Sequence, residues 1–193
     1  MRILVIYAHP VESSYAAALH ATVLETLRAH HEVRDLDLYA EDFDPRLSRD
    51  ERLQYHDVTR NSESVARYVE MLRWAEAVVF CFPVWSFGLP AILKGFFDRV
   101  LIPGVAFDID GARVTPKLTH IAHVIAVCTY GRGRWTVRFS IGDLPRTQIS
   151  RYFRWFCARG ATLRYLAHYQ MNAATERSRA RFLAHVRRTL ASI

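Results

Sequence analysis

The loop after the first apolar run carries imidazole and hydroxyl side chains just ahead of a helical pattern. It reads His9-Pro10-Val11-Glu12-Ser13-Ser14-Tyr15, between a strand-like run at 2–8 and an amphipathic stretch at 14–30. Free amides at a helix N-terminus, with the positive end of the helix dipole, bind phosphate groups. Neither G-x-G-x-x-G nor G-x-x-x-x-G-K-[ST] is present, so a dinucleotide fingerprint and a P-loop are excluded. The structural alternative is that Ser13 or Ser14 caps the helix and His9 bonds a nearby carbonyl.

A second loop places large aromatic side chains after the most apolar run of the chain. It reads Pro83-Val84-Trp85-Ser86-Phe87-Gly88 and follows the apolar run at 77–82. Exposed aromatic rings at the end of a buried strand favour a pocket for a flat ligand. The alternative is that Trp85 and Phe87 fold back onto the core or onto a partner subunit.

A third loop combines glycines with arginines. It reads Cys128-Thr129-Tyr130-Gly131-Arg132-Gly133-Arg134-Trp135. Glycines let backbone amides approach a ligand closely, and such amides stabilise a ring that becomes anionic. The alternative is an ordinary turn with solvated arginines.

Each of these loops follows a predicted strand. Strand patterns cover 2–8, 32–38, 77–82, 120–128 and 162–167, and Pro83 is predicted to end the third. Helical patterns cover 14–30, 51–75 with a break near Asn61, 89–100, 148–159 and 175–192, and 102–116 is predicted to be a loop. The alternation predicts an α/β fold, a doubly wound parallel sheet of five strands with helices on both faces. Ligands bind beyond the carboxyl ends of such strands, where the three loops meet.

Composition narrows the class of protein. The 193 residues are 51% apolar, which excludes a disordered chain and fits one domain over 1–193. The formal net charge is +7, and only Lys94 and Lys117 are lysines. Three widely spaced cysteines without a C-x-x-C pattern exclude a disulfide framework and a zinc knuckle, and no metal site is predicted. The uncharged run at 77–93 is broken by Pro83, Gly88 and Pro90, so we expect a cytoplasmic protein without a membrane-spanning segment.

The run FPVWSFGLPAILKGFFDRV at 82–100 resembles the signature of the flavodoxin-like NAD(P)H:quinone oxidoreductases, the NAD(P)H dehydrogenase (quinone) family. The opening YAHP at 7–10 with Ser14, and PGVAF at 103–107, are similar to the same family, and the resemblance extends to about Gly133. It implies a flavodoxin-like fold, tightly bound flavin (FMN or FAD) and a homodimer with two sites at its interface. The implied activity is hydride transfer from NAD(P)H, through the flavin, to a quinone or similar flat acceptor.

The resemblance also implies roles for individual residues. Those implied to bind the flavin phosphate or diphosphate are His9, Ser14, Tyr15 and Ala16. Those implied to hold the ring are Pro83, Val84, Trp85, Ser86 and Phe87 on one side and Cys128, Thr129, Tyr130 and Gly131 on the other. Phe107 is implied to cover the flavin of the partner subunit, and Arg132 or Arg134 could hold a cosubstrate phosphate.

The chain departs from the family at several positions. The third loop has Cys128-Thr129-Tyr130-Gly131 where many members have Thr-Thr-Gly-Gly. Thr136 and Ile141 stand where the animal members have a tyrosine and a histidine that assist charge relay, so no catalytic side chain is predicted. The flavin, which carries the chemistry itself, needs none as acid or base.

Two other functions remain open at this stage. A flavodoxin-type electron carrier would typically be acidic and have a T-x-T-G-x-T loop, and this chain has neither feature. An ancillary subunit of a cation-efflux channel could use the arginines at 177–188 to dock on an acidic partner, although such a run is more often solvated. Nucleic-acid binding is not predicted, because we find no basic patch interleaved with stacking aromatics. The choices between FMN and FAD and between NADH and NADPH, and the role of 39–61, stay open.

Overall fold

A parallel sheet of five strands forms the centre of the computed structural model, which describes residues 1–193. The strands are β1 (Arg2–Tyr7), β2 (Glu32–Asp37), β3 (Ala77–Val84), β6 (His123–Tyr130) and β7 (Thr162–His168), in the order β2-β1-β3-β6-β7. A separate antiparallel hairpin contains β4 (Phe107–Asp110) and β5 (Arg113–Pro116). The predicted doubly wound α/β sheet is therefore confirmed. The hairpin was missed, since its short strands lie among Gly and Asp residues typical of loops.

Helices cover both faces of the sheet. They are α1 (Tyr15–Arg28), α2 (Arg49–Gln54), α3 (Ala66–Trp74), α4 (Ala91–Val100), α5 (Leu144–Thr147) and α6 (Glu176–Leu190). Two π-helical segments, Thr136–Ile141 and Gln148–Phe153, lie in the crossover between β6 and β7. The predicted break near Asn61 is confirmed, because α2 ends at Gln54 and α3 begins at Ala66. No helix has the length and apolar character needed to cross a bilayer.

The core divides along the alternation of the strands. In β1, Ile3, Val5 and Tyr7 pack with α1 and α6, whereas Leu4 and Ile6 pack on the face covered by α3 and α4. Successive side chains of a strand point to opposite faces, so a continuous apolar run buries both. This two-sided burial fixes the register of the sheet and therefore the positions of its loops.

Pro83 does not end β3, contrary to the prediction. The strand continues to Val84, and Pro83 pairs with Thr129 of β6. The carbonyl of Cys81 accepts a hydrogen bond from the amide of Ala8, so the backbone N–H and C=O of Cys81 point toward β1. Backbone groups two residues apart in a strand point the same way, so the nitrogen of Pro83 is also on the β1 side. Because β1 ends at Tyr7, the missing N–H of Pro83 leaves no neighbouring strand unpaired.

Candidate functional site

The loop after β1 is organised by hydrogen bonds around the imidazole of His9. Nδ1 of His9 accepts from the amide of Val11 at 3.0 Å and lies 3.1 Å from Oγ of Ser14. Ser14 is the N-cap of α1, and its Oγ accepts from the amide of Ala17. The predicted capping role is confirmed, and His9 bonds an amide and a hydroxyl rather than a carbonyl.

Five amides of this loop and the first helical turn have no acceptor within the protein. One belongs to His9, and the four nearest the start of α1 belong to Glu12, Ser13, Tyr15 and Ala16. Amides in the first turn cannot bond within their own helix, and together with the helix dipole they attract an anion. The capping role of Ser14 is therefore compatible with an anion site, and the first loop offers both.

Burial lowers the pKa of His9 below its ordinary value of about 6.5, so the imidazole is neutral near pH 7. As pH falls below about 6.5 the unfolded chain takes up this proton first, so the free energy of unfolding decreases until the folded pKa is passed. We expect His9→Gln to lose less thermal stability between pH 7 and pH 5 than wild type. Burial also lowers the pKa of His168, so the His9→Gln variant should still lose some stability on acidification. Equal losses in both proteins would contradict this prediction; the measurement is the melting temperature against pH.

Next to this loop lies a cavity of about 420 Å³ between α1 and the carboxyl ends of β1 and β2. Its lining residues are Tyr7, His9, Pro10, Glu12, Ala17, His20, Asp37, Tyr39 and Ala40. The hydroxyl of Tyr7 is buried there without a hydrogen-bond partner, and burial raises the pKa of Tyr7 to about 12. The start of the 39–61 segment therefore contacts the first loop, whereas Pro45 packs against Gly95 of α4.

The loop after β3 is a tight two-residue reverse turn. Trp85 and Gly88 exchange both backbone hydrogen bonds, at 3.2 and 2.8 Å. The two central residues, Ser86 and Phe87, have left-handed backbones with φ of 48° and 59°. Such turns favour Asn-Gly, so a serine and a phenylalanine here are strained. Strain of this kind is typical of functional sites. The side chains of Trp85 and Phe87 in this turn are 41% and 37% exposed.

We expect Ser86→Gly to raise the free energy of unfolding by about 1 kcal/mol, because glycine removes the cost of a left-handed backbone. The measurement is urea unfolding. Ser13→Gly is the matched control: Ser13 is also an exposed loop serine, but its φ is not positive, so glycine should not stabilise the chain there. A destabilised Ser86→Gly variant would contradict the assignment of strain to this turn.

The loop after β6 begins at Gly131, later than predicted, because β6 extends to Tyr130. The amides of residues 131–134 have no acceptor within the protein. The end of β6 is fixed by the hydroxyl of Tyr130, which donates to Oδ1 of Asp143 at 2.6 Å and lies 2.6 Å from the hydroxyl of Tyr165. Burial raises the pKa of Tyr130 well above its ordinary value, so this hydroxyl stays protonated.

The structure brings the three predicted loops together. The rings of His9 and Trp85 are 5.6 Å apart, which joins the loops after β1 and β3. A cavity of about 140 Å³ joins the loops after β3 and β6. Its lining residues are Val84, Ser86, Phe87, Tyr130, Gly131, Arg132 and Val137. At the carboxyl edge of the sheet, loops with unpaired backbone amides therefore lie on both sides of the Trp85–Gly88 turn.

Several predicted site residues lie elsewhere or play another part. Cys128 is fully buried in β6, its thiol points to the carbonyl of Leu166, and it does not line the cavity between the loops. Phe107 stacks on Phe156 beside the hairpin, 5.4 Å between ring centroids, and does not line the cavity between the loops. Arg134 is exposed outside that cavity. The implied roles of Phe107 and Arg134 toward a second subunit or a cosubstrate stay predictions.

Some residues that shape the site gave no signal in the sequence. The backbone N–H of Gln170 donates a hydrogen bond to the backbone carbonyl of Arg132. The side chain of Asn172 lies beside Gly131. A β-carbon at Gly131 would lie 3.4 Å from Oδ1 of Asn172, and one at Gly133 would lie 3.1 Å from Nε2 of Gln170. These contacts come from the turn after β7, more than thirty residues away along the chain, so only the packed fold reveals them.

Comparison with known proteins gives a consistent family. Residues 1–187 match the family described as having a flavodoxin-like fold. The human ribosyldihydronicotinamide dehydrogenase [quinone] is 31% identical over 172 residues, covering 80% of this chain and 72% of the human protein. A ribosyldihydronicotinamide dehydrogenase-like protein of Penicillium crustosum is 37% identical over 121 residues, but the match spans only 45% of that relative's length.

Solved structures share the fold over the whole chain. A protein from Streptococcus mutans is 26% identical, with a TM-score of 0.90 and complete coverage of both chains. The NAD(P)H:quinone oxidoreductase of Methanothermobacter marburgensis is 24% identical, with a TM-score of 0.81 over 99% of this chain and 98% of that one. The sheet order, the carboxyl-edge loops and these similarities agree: the chain belongs to the flavodoxin-like family that includes the quinone-dependent ribosyldihydronicotinamide dehydrogenases.

Proposed function

We propose that the protein is a flavin-dependent NAD(P)H oxidoreductase that reduces a quinone or a similar flat acceptor. The observation that carries the proposal is the convergence of two loops with unpaired amides on either side of the strained Trp85–Gly88 turn. The named relatives are dehydrogenases and reductases, which favours an enzyme over an electron carrier or an ancillary subunit.

The first loop fits the phosphate end of a flavin. The unpaired amides at Tyr15 and Ala16, with those at Glu12 and Ser13, supply donors at the positive end of α1. The hydroxyl of Ser14 lies in the same turn. These are neutral donors, so they bind a dianionic phosphate without requiring a nearby lysine or arginine.

The other two loops fit a flat ring. Phe87 and Val84 supply apolar surface, and the amides of Gly131 and Arg132 supply donors beside it. When bound, the flavin supplies the transfer of redox equivalents from the nicotinamide to the acceptor. The amides of the loop after β6 would stabilise negative charge on the ring, as preorganised donors do. The residues lining this cavity include no carboxylate and no imidazole, consistent with a site that orients its ligands.

The test begins with the purified chain mixed with FMN or with FAD and freed of excess ligand. We expect a retained flavin absorbance spectrum, release of an intact flavin on heating, and a released mass that distinguishes FMN from FAD. Flavin-loaded protein should then oxidise NADH or NADPH with a water-soluble benzoquinone as acceptor. Protein that retains neither flavin, or that turns over NAD(P)H at full rate without one, would overturn the proposal.

We further propose a homodimer, because one chain encloses the ring site only in part. The cavity of about 140 Å³ is well below the roughly 300–1,000 Å³ of typical ligand pockets. An apolar cluster of Phe107, Val114, Tyr152, Trp155 and Phe156 lines a second opening of about 190 Å³. Trp155 is 49% exposed there, which is costly for a free surface but suits an interface.

The dimer is tested by analytical ultracentrifugation. Wild type should sediment as a dimer, and Trp155→Glu, which places a charge in the apolar cluster, should shift it to a monomer. Leu53→Glu, at a side chain 67% exposed on α2, is the control and should leave the dimer intact. A monomeric wild type would overturn this part of the proposal.

The proposed compartment is the cytoplasm, which is supported by three buried free thiols.

A further inference from the structure

The crossover between β6 and β7 carries an outward aromatic surface that the proposed function does not use. On the π-helical segment Thr136–Ile141 and the residue before it, Val137 is buried and lines the ring cavity. Trp135 and Phe139 point away from it and are 72% and 70% exposed. No other large apolar side chains of the chain are as exposed, and exposure of this kind marks a binding surface.

The two rings form one apolar plate. Their centroids are 5.4 Å apart and their planes differ by 12°, so each ring covers one face of the other. Leu144, 55% exposed, follows on the next helical segment. The exposed arginines Arg134 and Arg138 adjoin these two aromatics in the sequence, and neither takes part in a salt bridge. We name these five residues the outer patch.

Positive charge is concentrated in the part of the sequence that contains the outer patch. Residues 112–193 contain 15 arginines and lysines against two acidic residues, whereas residues 1–111 contain 11 against 17. Between 132 and 159 there are seven arginines, and the single acidic residue, Asp143, is buried and bonded by Tyr130. The stretch 132–159 therefore interleaves arginines with exposed aromatics, a feature not recognised from the sequence. A strong charge difference between two halves of a chain indicates a polyanionic partner.

We propose that the outer patch docks the protein onto the surface of an anionic lipid bilayer. Tryptophan and phenylalanine insert at the headgroup boundary, while arginines beside them bind anionic lipid. Nucleic acid is a poorer occupant, because the stacked pair leaves only one face of each ring for a base, whereas the edges of both rings can enter a headgroup layer. A second copy of the chain is also poorer, since a two-fold contact through this patch would bring its own arginines together. The cavity lined by Val137 would then lie near the bilayer, where an apolar acceptor dissolves; only this last statement rests on the proposed function.

The test is co-flotation of the full chain with lipid vesicles at low salt. We expect binding to vesicles of equal parts phosphatidylcholine and phosphatidylglycerol, and little binding to phosphatidylcholine alone. Trp135→Ser/Phe139→Ser should reduce the partition coefficient at least about tenfold, through lost apolar burial. Arg134→Gln/Arg138→Gln should reduce it about 25-fold, at about fivefold for each arginine near an anionic surface. Trp135→Phe should restore most of the binding lost by Trp135→Ser.

Matched controls lie on the acidic half of the chain. Leu53→Ser removes an apolar side chain that is 67% exposed, and Arg49→Gln removes an arginine whose side chain is 84% exposed; neither should change vesicle binding. Equal binding to both kinds of vesicle, or no effect of the aromatic substitutions, would overturn the proposal. Displacement of the protein from anionic vesicles by an equimolar single-stranded oligonucleotide would also overturn it, in favour of nucleic acid. Flavin content does not enter this measurement, so its failure is separate from failure of the proposed activity.

Discussion

A Ser14→Asp variant is expected to bind FMN at least about 100-fold more weakly than wild type while remaining folded. Aspartate is as good an N-cap as serine, so α1 should keep its first turn. The new carboxylate, however, would lie among the unpaired amides proposed to hold the phosphate. Two unit charges about 4 Å apart repel by about 4 kcal/mol at an effective dielectric constant of about 20, and solvent in this loop lowers that figure. A 100-fold loss corresponds to about 2.7 kcal/mol.

Two comparisons isolate the charge from the loss of the serine hydroxyl. Ser14→Asn retains a capping oxygen without a charge and should bind FMN within about tenfold of wild type. Riboflavin, which has no phosphate, should bind all three proteins with similar affinity. The measurement is flavin fluorescence quenching on titration with each protein. If Ser14→Asp weakened riboflavin and FMN equally, the phosphate would not lie at this helix end, and the assignment of the first loop would fail.

A Gly95→Ala variant is expected to lose about 3 kcal/mol or more of unfolding free energy. Gly95 lies on the buried face of α4, and a β-carbon there would overlap the backbone and ring of Pro45. Overpacking of this kind costs about 1–3 kcal/mol, and more where backbone must move. In an uncrowded helix the same change would stabilise by about 1 kcal/mol, so the contact with Pro45 decides the sign of the effect.

Urea unfolding at constant pH measures this change. Gly88→Ala is the matched control, because the nearest atom to its β-carbon would be the carbonyl oxygen of Trp85 at 3.7 Å and its φ is not positive. That variant should change the unfolding free energy by less than about 1 kcal/mol. A stabilised Gly95→Ala protein would mean that the 43–47 segment does not pack on α4, and would remove the support for the path of residues 39–61.

The sequence predicted different amounts of detail for the three loops of the candidate site. A capping serine at position 13 or 14 was identifiable, because residue type and place before an apolar periodicity depend on neighbours in the sequence, and the structure shows that the cap is Ser14. The turn at 85–88 was recognisable as an aromatic loop, but its left-handed geometry was not, since Ser-Phe lacks the Asn-Gly signal. Cys128 was placed both at the end of the predicted strand and in the loop, and Tyr130 in the loop alone, although β6 continues through both. Their burial depends on helices that follow later in the chain.

The sequence by itself determined the strand and helix alternation, the five-stranded parallel sheet and the identity of the three loops at its carboxyl edge. These follow from local periodicity and from short motifs, which depend on residues close together in the chain. Tertiary structure alone decided which amides lack acceptors, that Gln170 and Asn172 support the loop at Gly131, and that Trp135 and Phe139 face outward while Val137 faces the cavity. Those features depend on contacts between residues far apart in the chain and on the direction of each side chain, which composition and spacing do not encode.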